Sequence, residues 1–469
     1  MTQQNPSALA MCRYIEHSEG LRRSQLSIAV PGLPTLPGLK LIARDRRSKG
    51  HEVVDQSAGD IADVGEPLAD EFVAFIEEAR DELIAAGVVE MRRTRGDAYG
   101  YSGNYQQQYP AVTDRLAHSW GITATKTVAI QTISGRIALD MAMRALMSRH
   151  PNARGQRAII LDTLAWSGYQ PLAEELGLAL VHAAAHPEHG LSASAEGLTE
   201  AIEFCERENL VPVAAIPILP SNPTGVGMAP GELERYVEVA AAADLPVLVD
   251  AFYSPLAPEG HLETVGLNRA ERGLAPEVLG YLGVLVGETK VTSSQNKTAT
   301  VMWFAPERHD AVAIHLKTQM MKRLAATNTY PRPQEALVAY ALHSFPKGIH
   351  AAMGPRFVAL DDARSAMAEV CDDLGLPFSI GGSFYGTVAL VDDDGRSLIR
   401  DESGKPATDA KAASEIMIQR YGLVGAPGAM FSPAPEAAVM ARLTAAVTLA
   451  DVEKVRGIFT QMLEAAKGS

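Results

Sequence analysis

The chain has 469 residues, of which 21% are charged and 47% hydrophobic, enough for a large buried core and for two domains rather than three. Its formal net charge of −14 argues against nucleic acid or an anionic membrane surface as the main partner. Its three cysteines, Cys12, Cys205 and Cys371, are odd in number and far apart; they offer neither a disulfide framework nor zinc spacing, so a reducing cytoplasm is expected.

Met1 to Ala10 is polar and uncharged, so no signal peptide is expected. No apolar run approaches the ~20 residues of a membrane helix. Residues 1–50 are basic and rich in proline and glycine, with Pro31-Gly-Leu-Pro34 and Pro37-Gly38. They read as an arm or irregular cap that could lie on a partner subunit. Arg22, Arg23, Arg44, Arg46 and Arg47 in this stretch read as solvated rather than functional. Residues 51–95 read as part of a small domain and a linking helix. Val53 to Asp60 suggests a short strand and turn. Pro67 then opens an amphipathic helix with Leu68, Phe72, Phe75 and Ile76 on one face.

Residues 96–345 read as a large domain. It begins with a glycine- and tyrosine-rich loop, Tyr99-Gly-Tyr101-Ser-Gly103-Asn-Tyr105. From about residue 120, strand-like and helix-like segments alternate. Helices are expected at 136–148 and 231–243. Strands are expected at 157–161, 178–183, 213–218, 246–249, 282–286 and 300–304. Short β-runs separated by helices imply right-handed crossovers and a mostly parallel sheet flanked by helices, an α/β fold. Residues 346–469 change character and read as a smaller α+β domain. A helix at 355–373 is followed by the strand-like Phe384 to Leu390 and an acidic hairpin-like insert, Asp392 to Lys405. Thr448-Leu-Ala-Asp451 then offers a capping box for the last helix.

Chemistry concentrates around Lys290. The apolar run Leu282 to Val286 ends in Gly287, and Lys290 follows three residues later. An amine at a strand end lies where a parallel sheet opens its ligand crevice, and a lysine of lowered pKa is a nucleophile towards aldehydes. Lys297 stands seven residues further on. Upstream, Ser134-Gly135-Arg136 enters a helix, where small residues and a helix N-terminus suit a phosphate; Ser134 could equally be an ordinary N-cap. Trp166 could stack on an aromatic ring or fill a core. Ser221-Asn222-Pro223-Thr224-Gly225 sets a carboxamide on a turn at a sheet edge. Asp250 ends a buried strand, where a carboxylate is costly unless paired. Tyr253 follows it.

Asn-Pro-Thr-Gly, then Asp-x-x-Tyr, then Lys, in this order, resembles the fold-type I pyridoxal-phosphate enzymes of the aspartate aminotransferase family, from about residue 52 to the C-terminus. The resemblance implies a transferase that uses pyridoxal 5'-phosphate, with a large cofactor-binding domain and a smaller one. Lys290 would carry the cofactor as a Schiff base, and Asp250 would pair with its pyridine nitrogen. Tyr253 and Asn222 would hydrogen-bond its phenolic oxygen, and Trp166 would stack on its ring. Ser134, Gly135 and Arg136 would cradle the phosphate. Arg442, in Val439-Met-Ala-Arg442-Leu-Thr444, matches the arginine that grips the substrate α-carboxylate. A guanidinium fork suits that task. Gly59 matches a glycine near the substrate.

The family also shares its active sites across a homodimer. In Lys322-Arg323-Leu-Ala-Ala-Thr327, Thr327 would reach the neighbour's phosphate. Arg323 falls where dicarboxylate-specific members keep a side-chain-carboxylate arginine, or it pairs with a surface carboxylate. Tyr99 is favoured over Tyr101 and Tyr105 as the tyrosine that touches the neighbour's phosphate. Two departures alter the phosphate cup. The serines expected three residues before and directly before the lysine are Gly287 and Thr289. The arginine expected about eight residues after it is replaced by Lys297, which is also the rival for the cofactor lysine.

The expected function is an aminotransferase of specialised or biosynthetic metabolism acting at Cα of an α-amino acid. The alternative is elimination, replacement or carbon–carbon bond formation on the same cofactor, including the use of S-adenosylmethionine. A non-catalytic regulator fits a complete catalytic set less well. His182, His186 and His189 resemble metal spacing but lack a carboxylate or cysteine in register, so no metal is expected.

Overall fold

Residues 6–27, 33, 35–57, 70–85, 127–257, 265–287, 289–291, 297–306, 309–327, 331, 338–339 and 348–467 are described by the structure, a computed structural model. Its first nine strands in chain order are β1 (Gln25–Leu26), β2 (Val54–Asp55), β3 (Thr127–Thr132), β4 (Gln156–Leu161), β5 (Ala179–His182), β6 (Leu210–Ile216), β7 (Val247–Asp250), β8 (Leu282–Gly287) and β9 (Ala299–Phe304). All but β2 build an eight-stranded sheet in the order β1-β5-β4-β6-β7-β8-β9-β3. The neighbours from β5 through β8 pair in parallel, while β9 pairs antiparallel with both β8 and β3, and β1 pairs antiparallel with β5.

This sheet is covered on both faces, which is why β7 and β8 read as continuous apolar runs rather than alternating ones. Leu248 and Leu285 join the core under the helices Gly135–Met147 and Ala311–Thr327. Val247, Val249, Val284 and Val286 join the core on the other face, with the helices Ala195–Arg207 and Glu232–Ala242.

A second, antiparallel sheet has the order β10-β11-β14-β13, from β10 (Phe378–Ile380), β11 (Tyr385–Ala389), β13 (Ala426–Pro427) and β14 (Met440–Thr444). It packs with the helices Gly348–Asp373, Ala410–Gln419 and Leu449–Lys467 around a core that includes Phe378, Leu390, Leu443 and Phe459. Thr448 caps the last of these helices: its Oγ accepts from Asp451 N at 3.3 Å and donates to the Asp451 carboxylate at 2.8 Å. β12 (Leu423–Val424) pairs in parallel with β2, drawing residues 54–57 to this part of the molecule.

Among the first fifty residues, the described ones are more regular than the proline and glycine content suggests. Helix α1 (Pro6–Glu16) buries Met11 and Ile15, and β1 adds an edge strand to the large sheet. Helix α2 (Leu36–Ser48) is capped by Thr35, whose side chain accepts from Gly38 N at 3.3 Å, with Pro37 in its first turn. Proline is harmless there, because the first-turn N–H groups have no helical partner. Leu39 and Ala43, four residues apart, bury one face of α2 against Ile418 and Val424. Arg46 is not idle: it donates to Gln419 O, and to Arg420 O at 3.5 Å.

Helix α3 (Asp70–Ala85) buries Phe72, with Ile76 packed beside it. Pro67, Leu68, Gly59 and Tyr99 to Tyr105 lie outside the described residues. The acidic insert is two successive tight turns rather than one hairpin, closed by the bridges Val391↔Ser397 and Arg400↔Pro406. Asp392 and Asp401 each accept several backbone N–H groups within their own turn, as aspartate does in short loops. No described helix is long and apolar enough to cross a membrane.

Candidate active site

β7 and β8 set the chemistry at one edge of the large sheet. Asp250 ends β7 in register with Leu285 of β8, and the chain leaves Gly287 into the turn that carries Lys290. A cavity of about 540 Å³ opens there, lined by Ser134, Gly135, Trp166, Asp250, Lys290 and Lys297, among others. That volume is in the range of small-molecule sites.

Asp250 is 6% exposed. One carboxylate oxygen accepts from the Tyr169 hydroxyl at 2.8 Å, the other from Phe252 N at 3.4 Å. Burial raises its pKa to about 6, against the pull of these donors and of the more distant Lys290. No cation stands within ion-pair distance of Asp250 among the described residues. A second carboxylate, Asp162, lies behind it; burial pushes its pKa to about 8, and it accepts from Ile218 N at 3.0 Å. Lys290 Nζ lies 5.6 Å from the Tyr253 ring centre and 5.8 Å from that of Phe384.

A buried polar chain links the two sheets. Asn222 Nδ2 donates to the Tyr253 hydroxyl at 3.1 Å, while Asn222 Oδ1 accepts from Arg442 Nη1 at 3.0 Å. The amide is thereby fixed in one orientation. Arg442 extends from β14, donates to Ser57 O at 3.2 Å, and stacks with its guanidinium carbon 3.9 Å from the Tyr385 ring centre. It is 4% exposed, and its Nε–H has no partner among the described residues. No carboxylate lies within ion-pair distance of it there either. A buried cation without a counter-ion is costly, so this one is poised for an anion. A second chamber, of about 570 Å³, opens on this side, shares Trp166, Tyr253 and Lys290 with the first, and has Arg442 in its wall.

The model of the family "Aminotransferase class I and II" matches residues 64–457. The chain belongs to the class I and II aminotransferase family. It is therefore a pyridoxal-phosphate-dependent transferase. The fold agrees with solved aminotransferases. A Thermus thermophilus aspartate aminotransferase double mutant superposes with a TM-score of 0.64 at 18% identity, over 93% of this chain and 97% of that one. The Rhizobium meliloti aspartate aminotransferase gives 0.66 at 15%, over 94% and 99%. An aminotransferase from Mycobacterium tuberculosis gives 0.62 at 16%, over 93% and 99%. No curated protein sequence matches the chain significantly.

The residues present fit the aminotransferase cofactor. A buried carboxylate with a raised pKa and no cation suits a ring N–H⁺, and an amine stands at the same cavity. Ser134, Gly135, Arg136, Trp166, Asn222, Asp250, Tyr253, Lys290 and Lys297 all line that cavity. Ser134 is also the N-cap of helix Gly135–Met147, accepting from Ile137 N at 3.3 Å, so the capping and cofactor-lining readings hold together. The guanidinium carbon of Arg136 lies 5.5 Å from the Trp166 ring centre. Both lysines line the cavity.

Arg323 and Thr327 are not brought to either chamber of their own chain. Arg323 faces Asp140 at 3.7 Å, and Thr327 ends its helix with its hydroxyl on Arg323 O at 2.8 Å. Tyr99 and Gly59 lie outside the described residues. Of the three histidines, His186 faces Glu188 and Glu200. His182 is buried, with Nδ1 3.0 Å from Asp162 O. His189, Glu196 and Glu232 do cluster, but Arg235 already pairs with both glutamates.

Two site residues escaped the sequence reading. Tyr169, three residues after Trp166, reaches Asp250 from a helix start and carried no motif. Phe252 lies inside Asp-x-x-Tyr at an unspecified position. Its ring fills the space beside Gly135 and Gly287: a Cβ at Gly287 would sit 2.1 Å from it, and one at Gly135 2.3 Å. The glycine in place of the expected serine thus follows from the aromatic residue opposite, a pairing visible only in three dimensions.

Proposed function

We propose that the protein is an aminotransferase acting at Cα of an α-amino acid in specialised or biosynthetic metabolism, with pyridoxal phosphate in the inner cavity. The observation that carries this is Arg442, a buried guanidinium without a counter-ion, sharing a chamber with Lys290 and held by the same asparagine that holds Tyr253.

The cofactor, when bound, supplies an aldehyde that takes up the amine and a ring that accepts the electron pair left at Cα. Asp250 would hold a proton on the ring nitrogen, and the Tyr169 hydroxyl holds Asp250. Tyr253 and Asn222 would hydrogen-bond the ring's phenolic oxygen, and Trp166 would cover one face. Ser134, the Gly135 backbone, Arg136 and Lys297 would hold the phosphate. Lys290 would hold the cofactor covalently and, once displaced by the substrate amine, would be the base that moves the Cα proton. Arg442 orients the substrate by its α-carboxylate so that the Cα–H bond faces Lys290. The active unit is a homodimer in which Thr327 and the Tyr99 loop complete the neighbour's phosphate site. The pairing of Arg323 with Asp140 supports a surface role for that arginine.

The test is stoichiometric. Enzyme mixed with an amino donor and no acceptor should release one keto acid per site and stop. Continuous release of ammonia, or of a displaced group such as the one lost from S-adenosylmethionine, would instead favour elimination or replacement.

A further inference from the structure

The outer chamber, on the Arg442 side, has one wall made by the N-terminal helix α2. Leu36, Pro37, Lys40, Leu41 and Arg44 line it. Their spacing of one, three and four residues is that of a single helix face. The adjoining face of α2 is pinned by Leu39 and Ala43 against Ile418 and Val424, so the lining face has a fixed aim.

The chamber's ionisable side chains of definite charge are all cationic. Lys40, Arg44, Arg136, Lys290 and Arg442 line it, and no carboxylate does among the described residues. Three of these have work in the reaction proposed above: Lys290 with the cofactor and the proton, Arg136 at the phosphate, Arg442 on the α-carboxylate. Lys40 and Arg44 have none. They stand four residues apart on one face, where like charges repel and weaken a helix. The acid nearest Lys40 is Asp55, 4.0 Å away, whose other oxygen accepts from Ser57 N and Oγ at 3.0 and 2.6 Å. Asp45, beside Arg44 in sequence, pairs with Lys49 at 2.6 Å. Arg44 has no ion pair among the described residues. Lys40 touches Asp55 only at the outer limit of an ion pair, 4.0 Å, so its charge and that of Arg44 both face the chamber.

We propose that Lys40 and Arg44 form a second anion subsite, which selects amino acids whose side chain ends in a carboxylate or a phosphate. The proposal rests on the aminotransferase reading of the inner cavity and names its substrate class. The α-carboxylate takes the buried guanidinium, the distal anion takes the α2 wall, and the two together span the chamber. Both groups are exposed, so their replacement leaves the core of α2 intact.

The experiment compares kcat/KM for acid and amide partners of one shape, glutamate against glutamine. Longer 2-aminoadipate and O-phosphoserine separate a carboxylate from a phosphate terminus. Binding of succinate against butyrate, followed by titration calorimetry, supplies a readout independent of turnover. The wild-type enzyme should favour the anionic member by tenfold or more. Lys40→Ala/Arg44→Ala should bring that ratio to within about threefold of unity, and Arg44→Lys should keep most of it. Retained cofactor absorbance and an unchanged unfolding temperature would show that the variants are folded. An acid-to-amide ratio near one in the wild type, or an unaltered ratio in the double variant, would overturn the subsite while leaving the aminotransferase reading intact. No turnover of any amino acid by cofactor-loaded enzyme would overturn both.

Discussion

At the scale of the residue, Asp250 and Arg442 are buried charges with no ion-pair partner among the described residues. Arg442→Ala would remove the proposed bidentate contact with the substrate α-carboxylate. The expected cost is about 3 kcal/mol, roughly a hundredfold in kcat/KM for every α-amino acid. Undiminished activity would remove the carboxylate clamp. Asp162 makes a separate prediction for the cofactor-free protein. Its folded pKa is raised from 3.8 to about 8 by burial. The folded state therefore binds a proton that the unfolded state has lost between those values. The stability from Asp162 is full below about pH 4 and falls as pH rises towards 8. Asp162→Asn should flatten the decline of unfolding temperature between pH 5 and 8 relative to wild type. Parallel pH profiles for the two proteins would contradict this. The residues that hold these charges were unevenly legible. Asp250, Asn222 and Lys290 announce themselves because strand ends and a Pro-Gly turn locate them along the chain. Tyr169 does not, because a phenol at a helix start has no pattern until the strand it reaches is known.

At the scale of the element, β7 and β8 act as one unit through Phe252. The missing serine at Gly287 reads in sequence as a weakened phosphate cup, whereas in three dimensions it is the space taken by an aromatic ring. Gly287→Ser should therefore be damaging, costing about 1–3 kcal/mol of stability through overpacking and loosening the cofactor. Phe252→Ala should relieve that clash, so Phe252→Ala/Gly287→Ser should retain cofactor better than Gly287→Ser alone, as measured by its dissociation constant. Additive losses in the double variant would show that the two positions do not share that space. The apolar runs of the large sheet were readable because both faces are buried and each strand is continuous. Helix α2 was obscured by Pro31, Pro34 and Pro37, although Pro37 sits where helices tolerate proline. β1 and β12 are two residues long, too short to carry any periodicity.

At the scale of the whole molecule, the two sheets meet through Asn222 and Arg442, and the outer chamber is lined in part by helix α2 as well as by residues of the two sheets. The proposed cross-subunit role of Thr327 requires a homodimer with twofold symmetry. Sedimentation at assay concentration should give a dimer, and a fully active monomer would remove that part of the account. The order of the motifs along the chain was enough to expect this architecture, since each lies at the end of a successive strand. The sharing of chambers by segments hundreds of residues apart, such as Lys40 with Arg442 or Ser57 with Asn222, was not, because local pattern carries no information on such pairings.

The most direct measurement is where the cofactor attaches. Enzyme loaded with pyridoxal phosphate, reduced with borohydride and digested, should carry the pyridoxyl mass on the peptide containing Lys290, and Lys290→Ala should carry none. Label on Lys297, or label that survives in Lys290→Ala, would contradict the assignment of the site.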